Sequence, residues 1–347
     1  MVMPVYNGLR YVEAAVDSLL TQTYTDLEVV AVNDGSTDGS GALLDELARR
    51  HKTIHVVHQK NGGIVAALNR CLEEALVKVP GAEFVGIMNA DDISLPQRVA
   101  RQVAYFAEHP EVDICGASLR EFYDPGVNPP IVNGIVQTPG ERHYPPDPRF
   151  TAPFLLFWCC FAHPTMMFRR RVLENSAAGE GLRYDTKSPY CCEDYILWAK
   201  ASERCRMGNI PEVLLNYRLH PKQNTTANLE RLAGLSKQVR RELIARLGVV
   251  PSEAEMTLHQ RLAESQLEAT EEFVGAARAW LEKLWQANTM RRIYDLEAFP
   301  KVLGARWAAV CLHAAHAWAG VWKNFWECPL APFVDRTLEK NREIPDP

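Results

Sequence analysis

The feature that most constrains this chain is a repeated pattern. Short apolar runs are each stopped by a polar Asn, Asp and Gly cluster, then followed by apolar residues at helical spacing. Residues 2–5 end at Tyr6-Asn7-Gly8, after which Val12, Ala15, Val16, Leu19 and Leu20 recur on one helical face. Residues 27–32 stop at Asn33-Asp34-Gly35-Ser36, ahead of a helix carrying Leu43, Leu44 and Leu47. Residues 54–58 lead to Asn61-Gly62-Gly63 and a helix over 64–76, and residues 84–88 lead to Asn89-Ala90-Asp91-Asp92. This alternation predicts an α/β fold, a mostly parallel sheet with flanking helices. In such sheets ligands collect at the carboxyl ends of the strands, where these polar clusters fall.

The pattern then loosens. Ser94-Leu95-Pro96-Gln97 has the spacing of a capping box that opens a helix running to His109, where Pro110 stops it. A fifth strand is expected over 112–117, and the dense prolines and glycines of 123–153 predict a long irregular loop. From residue 229 the chain becomes charged and helix-forming, so a domain over 1–228 and a C-terminal α-helical extension over 229–347 are expected. Within the extension, Ser252 and Glu255 form a second capping box. A helix over 269–287 would place Phe273, Ala276, Trp280 and Leu284 on one face.

Composition excludes more than it selects. A formal charge of -5 with no basic cluster removes nucleic acid as an expected partner. The adjacent pairs Cys159/Cys160 and Cys191/Cys192 lack metal-binding spacing and read as reduced thiols of a cytoplasmic protein. Residues 1–7 show no secretory leader pattern, and the Asn224-Thr225-Thr226 sequon is then a coincidence. Residues 302–326 are apolar and carry Trp307, Trp318, Trp322 and Trp326, yet Arg306 and Lys323 leave too few residues between them for a membrane span. Trp318, Trp322 and Trp326 at i, i+4 spacing form one aromatic face. That face packs on the rest of the protein or on a second subunit, or docks peripherally at the inner face of a membrane.

Four clusters carry the chemistry. Asp91 and Asp92 follow an apolar strand, where carboxylates need a cation, a basic partner or solvent. A hard divalent ion takes one or two carboxylates together with phosphate oxygens and water. Asp34 can accept the N–H groups of a heterocycle, and Asp38 can cap the next helix. Glu193 and Asp194 precede an apolar helix; they complement its N-terminus, or they supply an ionised carboxylate that takes a proton from a hydroxyl. Arg218 and His220 can address a diphosphate, or His220 can ligate the metal. Taken singly, each cluster also reads as an ordinary turn or helix cap.

Their order is more telling. Met3-Pro4-Val5-Tyr6-Asn7, VAVNDGSTDGS over 30–40, NGGIVAALN over 61–69 and MNADDISLPQ over 88–97 come first. His163-Pro164-Thr165-Met166-Met167-Phe168, Glu193-Asp194 and Tyr217-Arg218-Leu219-His220 follow. Across residues 1–225 this succession resembles the family 2 glycosyltransferases, inverting enzymes of the Rossmann-like GT-A fold. The resemblance implies that Pro4, Val5, Tyr6 and Asp34 surround the base and ribose of a nucleotide-sugar donor. Asn61, Gly63 and Asn69 match a third donor-side loop. It also implies a divalent metal, Mn²⁺ or Mg²⁺, held by Asp91, in a motif whose usual first acid is here the amide Asn89. Asp194 matches the catalytic base and His163 the acceptor side, with Asp92, Glu193 and Arg218 completing the substrate contacts.

The implied reaction is transfer of a sugar, with UDP the first-choice nucleotide, to a hydroxyl of a glycan, lipid-linked or other acceptor, as in cell-surface glycan biosynthesis. Two alternatives stand beside it: a metal-impaired nucleotide- or glycan-binding pseudoenzyme, and a sugar nucleotidyltransferase, for which no basic Gly-rich loop is present near residue 8. Only residues 1–4 precede the first loop, so the first strand is expected to be unusually short: either the chain start is truncated or the sheet tolerates a stub.

Overall fold

Strand β1 (Val2–Val5) is buried throughout and pairs in parallel with β2 (Val29–Asp34), which pairs in parallel with β3 (Ile54–Gln59). Helices α1 (Val12–Leu20), α2 (Ser40–Arg50) and α3 (Ile64–Lys78) link these strands and the next. The continuous apolar run of β2 fits a strand covered on both faces. This computed structural model describes residues 1–124, 127, 131–132, 135–136, 138–175, 179–187, 192–220, 229–318, 320–335 and 344. The chain divides into two compact units, Met1–Pro148 with Phe161–Leu232, and Arg149–Cys160 with Ala233–Pro347.

The rest of the first unit is a mixed sheet. It contains β4 (Phe84–Gly86), β5 (Ile93–Ser94), β6 (Ile114–Tyr123), β9 (Glu141–Arg142), β10 (Met167–Arg169) and β11 (Met207–Leu219). Its order is β4-β10-β6-β11-β5, with β9 on β6. A two-stranded ladder of β7 (Ile131–Val132) and β8 (Ile135–Val136) stands apart. A parallel bridge between Val2 and Ile87 joins the two sheets beside β1. Since β10 is antiparallel to both β4 and β6, and β11 is parallel to β6, strands β1, β2, β3, β4, β6 and β11 all point the same way. Their carboxyl ends share one edge, and the start of β10 lies there too.

Helix α4 (Arg98–Glu108) begins later than the capping-box spacing suggests. Ser94 does not cap it. Ser94 belongs to β5, which pairs with β11, and its backbone N–H donates to Ser18 Oγ at 3.0 Å. Here long-range strand pairing overrides a local signal. The fifth strand is also longer than expected, because β6 finds ten residues of parallel partner in β11. The segment 123–153 is less irregular than its composition suggests, since it contributes β7, β8 and β9.

The second unit is helical. It comprises α5 (Pro148–Phe154), α7 (Leu229–Arg246), α8 (Glu253–Ala263), α9 (Glu271–Arg291), α10 (Ala298–Ala315) and α11 (Val321–Glu327), while α6 (Glu193–Ala201) belongs to the first. The Ser252–Glu255 capping box is formed, with both reciprocal hydrogen bonds present. On α9, Phe273, Trp280 and Leu284 are buried, but Ala277 is buried in place of the exposed Ala276.

The expected Trp318, Trp322 and Trp326 stripe is not one helical face. Helix α10 ends at Ala315 and α11 begins at Val321, with the Trp318 indole folded over Gly320, an approach that a side chain there would block. Among the described residues, no helix is long and apolar enough to cross a membrane.

Candidate active site

The loops after β1 and β2 are locked to one another by backbone donors. Asn7 N–H donates to Ser36 Oγ, Gly8 N–H to Ser40 Oγ and Leu9 N–H to Asp38 Oδ2, each at 3.0 Å. In return Thr37 N–H donates to Asn7 Oδ1 at 2.9 Å. Pro4 and Val5 are strand residues in register with Val32 and Asn33, whereas Tyr6 is 56% exposed and can meet a ligand.

Asp34, at the end of β2, is buried. Its Oδ1 accepts from Gln59 Nε2 at 2.7 Å and from Gly62 N–H at 2.8 Å, and its Oδ2 accepts from Gly63 N–H at 2.9 Å. The carboxylate therefore fixes the turn before α3, with Asn61 exposed beside it. Gly35 sits at φ +70°, and a Cβ there would lie 2.7 Å from the Asn61 backbone nitrogen, so the two loops close only around glycine.

The acidic loop after β4 meets the end of β11. Arg218 N–H donates to Asp92 Oδ1 at 2.9 Å, Arg218 Nε to the Asp91 carbonyl at 2.8 Å, and Asn89 Nδ2 to Asp92 Oδ2 at 3.0 Å. His220 Nε2 lies 3.1 Å from Asp91 Oδ2. Burial, and then the Asp91 charge, push Asp92 up to about 8. The Arg218 guanidinium lies over the rings of Tyr11 and Phe122, at 4.8 and 4.6 Å, and donates to Asp124 Oδ1 at 3.0 Å. Tyr11 and Arg10 hold the other Asp124 oxygen at 3.1 and 2.6 Å.

Asp91 and His220 bring one carboxylate and one imidazole within 3.1 Å of each other. Among the described residues no three His, Cys, Asp or Glu side chains converge. This donor set fits a divalent ion that draws its remaining ligands from phosphate oxygens and water.

A second group forms where the chain enters β10. His163 Nε2 lies 2.8 Å from Tyr184 Oη, and Asn69 on α3 clasps the Tyr184 backbone. Its Oδ1 accepts from Tyr184 N–H at 2.9 Å, and its Nδ2 donates to the Tyr184 carbonyl at 3.0 Å. Glu193 and Asp194 open α6, with Cys192 before them in the left-handed region. Burial, and then the neighbouring Asp194 charge, push Glu193 up to about 7. Burial lowers the His163 imidazole, against the pull of the Asp194 carboxylate. Trp198, one turn along α6, is buried with its ring 6.3 Å from that of His163.

Thus the strand-end edge gathers Tyr6, Asp34, Asn61, Gly63, Asn89, Asp91, Asp92, Arg218 and His220, with His163 at the start of β10. Tyr11, Asp124 and Tyr184 escape sequence reading. Tyr11 and Tyr184 stand in none of the four clusters, and Asp124 lies inside the segment 123–153 read as loop. A cavity of about 460 Å³ lined by Glu28, Val30, Phe84 and Gly86 lies at the opposite, amino end of the strands and takes in none of these clusters.

An α/β sheet with acidic loops along one edge is the GT-A architecture, and solved structures bear this out. S. aureus TarS 1-349 in complex with UDP-GlcNAc superposes with a TM-score of 0.54 at 18% identity, over 94% of this chain and 90% of that one. The mannosyltransferase PcManGT from Pyrobaculum calidifontis, in complex with GDP-Man and Mn²⁺, gives 0.51 at 18% identity, over 90% and 85%.

The Glycosyl transferase family 2 model matches residues 1–176, and the chain belongs to that family; it is a glycosyltransferase. Among its relatives, an uncharacterized glycosyltransferase of Haemophilus influenzae is 27% identical over 69% of this chain and 71% of its own length. The O-antigen biosynthesis glycosyltransferase WbnJ of Escherichia coli is 27% identical over 66% of this chain and 82% of its own.

Proposed function

We propose that this glycosyltransferase moves a sugar from a nucleoside-diphosphate donor, UDP-linked in the first instance, to a hydroxyl of a glycan or lipid-linked acceptor with inversion. The observation that carries this reading is the separation of two carboxylate sites. Asp91 is paired with His220 beside Arg218, and Asp194 stands with His163 at the head of α6. The first suits a diphosphate; the second suits a hydroxyl.

In the proposed step Asp194 takes the proton of the acceptor hydroxyl as its oxygen bonds to the anomeric carbon. The bond from that carbon to the diphosphate oxygen breaks on the opposite face, and the nucleoside diphosphate leaves with the electron pair. Arg218, stacked and ion-paired, is preorganised to meet the leaving charge. A divalent ion, Mn²⁺ or Mg²⁺, held by Asp91 and His220 would supply further positive charge there. Burial, with the Asp194 charge beside it, pushes Glu193 up to about 7, so that it is only partly ionised at neutral pH. The Asp34 carboxylate and Tyr6 would frame the base, and the GDP-Man and UDP-GlcNAc complexes of the structural neighbours support nucleotide-sugar use. The proposed place of action is the cytoplasm, where such donors are available.

A donor screen by thermal shift with Mn²⁺, followed by a transfer assay, tests the reading. Asp194→Asn should lower turnover by about 10²–10⁴-fold while donor affinity stays within roughly threefold. Undiminished turnover in that variant would remove Asp194 from the base role. Metal-dependent UDP binding without hydrolysis or transfer of any donor would instead favour a pseudoenzyme.

A further inference from the structure

Tyr184 is buried, and its hydroxyl has one partner among the described residues, His163 Nε2 at 2.8 Å. A phenol carries a single proton. Were the hydroxyl to accept from Nε2–H, that proton would be left without an acceptor inside the fold, which costs more than an unused lone pair. The hydroxyl therefore donates, and Nε2 is the accepting nitrogen. Burial keeps the ring neutral, so its own proton resides on Nδ1. Nδ1 makes no hydrogen bond among the described residues and is not one of the enclosed unpartnered atoms, so on this half-buried ring its proton, unlike that of buried Tyr184, is open to solvent or a ligand. The Asp194 carboxylate is near enough for its charge to act on the ring. The result is an unused N–H donor on a ring that feels the charge of the proposed base.

We infer that Tyr184 is a positioning residue: its hydroxyl fixes His163 as the Nδ1–H tautomer, which donates to an oxygen of the hydroxyl-bearing acceptor held next to Asp194. Asn69 takes part through the backbone. By clasping both the N–H and the carbonyl of Tyr184 it ties that backbone to α3, so the point from which the phenol springs cannot shift without breaking two hydrogen bonds. The acceptor role rests on the transferase reading above; the tautomer does not.

Two measurements separate these layers. Nitrogen-15 NMR of the imidazole in the full chain should show His163 protonated on Nδ1. In Tyr184→Phe, which keeps the buried ring and the Asn69 clasp, the single tautomer should give way to a mixture. A wild-type His163 protonated on Nε2 would overturn the assignment. So would a spectrum unchanged by Tyr184→Phe.

In transfer assays, Tyr184→Phe should raise the acceptor KM about three- to tenfold, the worth of one neutral hydrogen bond, with kcat and donor KM within about twofold. An unchanged acceptor KM would remove the acceptor role even where the tautomer is as assigned. Absence of transfer by the wild type with every donor would overturn the transferase reading and the acceptor role with it, while the NMR result would still decide the Tyr184–His163 pair.

Discussion

His220 Nε2 lies 3.1 Å from Asp91 Oδ2, although 129 positions separate the two residues. The register of β5 on β11 accounts for this. Asn216 pairs with Ile93, so the chain leaving β11 runs back past the acidic loop. Asp91→Asn and His220→Ala should each weaken Mn²⁺-dependent UDP binding by roughly tenfold to a hundredfold. Metal-free binding should change little, and the double variant should be hardly worse than either single one. Isothermal titration with and without Mn²⁺ reads all three outcomes, and an unaffected metal dependence in His220→Ala would take that residue out of the site.

Arg218 is bound on several sides at once, by Asp124, by the Asp91 carbonyl and by two aromatic faces. Arg218→Ala leaves buried Asp124 with Arg10 and Tyr11 among the described residues, and should cost about 3 kcal/mol in urea unfolding, the low end for a broken buried pair. Arg218→Lys restores the charge without the planar fork or the stacking, and should recover less than half of that loss.

Glu193 is pushed up to about 7 from an ordinary 4.5. Below the ordinary value both folded and unfolded states hold the proton. Between the two values the unfolded chain releases it and the folded one does not, so stability falls as pH rises through that window. Glu193→Gln should match the wild type near pH 4 and exceed it by about 1–2 kcal/mol at pH 8, a figure reduced for partial solvent screening. Urea midpoints at the two pH values decide it.

His259 in the helical unit behaves in the opposite sense. Trp280 Nε1–H can only donate, so His259 Nδ1 accepts at 3.1 Å, and Nε2–H donates to the Leu156 carbonyl at 2.7 Å. Burial pushes this imidazole down to about 4. The unfolded chain takes up a proton near 6.5 while the folded unit resists, so stability is lost as pH falls from 6.5 toward 4, by up to ~3 kcal/mol. Calorimetry should show His259→Gln losing less than the wild type over the same range.

The first half of the chain was largely legible because β1 and β2 are buried along their whole length and all three strands end in polar clusters, so burial and turn chemistry coincide. Ser94 misled because its capping signal is local while its pairing partner, Leu215, is far along the chain. The contacts of Asp124 with Arg218 and of Tyr184 with His163 depend on which strand and loop ends meet, and no spacing encodes that. Trp318 was placed on a continuous face by periodicity, and the fold of its indole over Gly320 broke the count.

Helix α3 has a mechanical consequence. The turn before it carries the Gly62 and Gly63 amides gripped by Asp34, and its second turn carries Asn69, which grips Tyr184. Six residues, about 9 Å of helix, therefore join the Asp34 loop to the Tyr184–His163 pair as one rigid piece. Any shift of the Asp34 loop is therefore carried to the backbone from which the Tyr184 phenol springs.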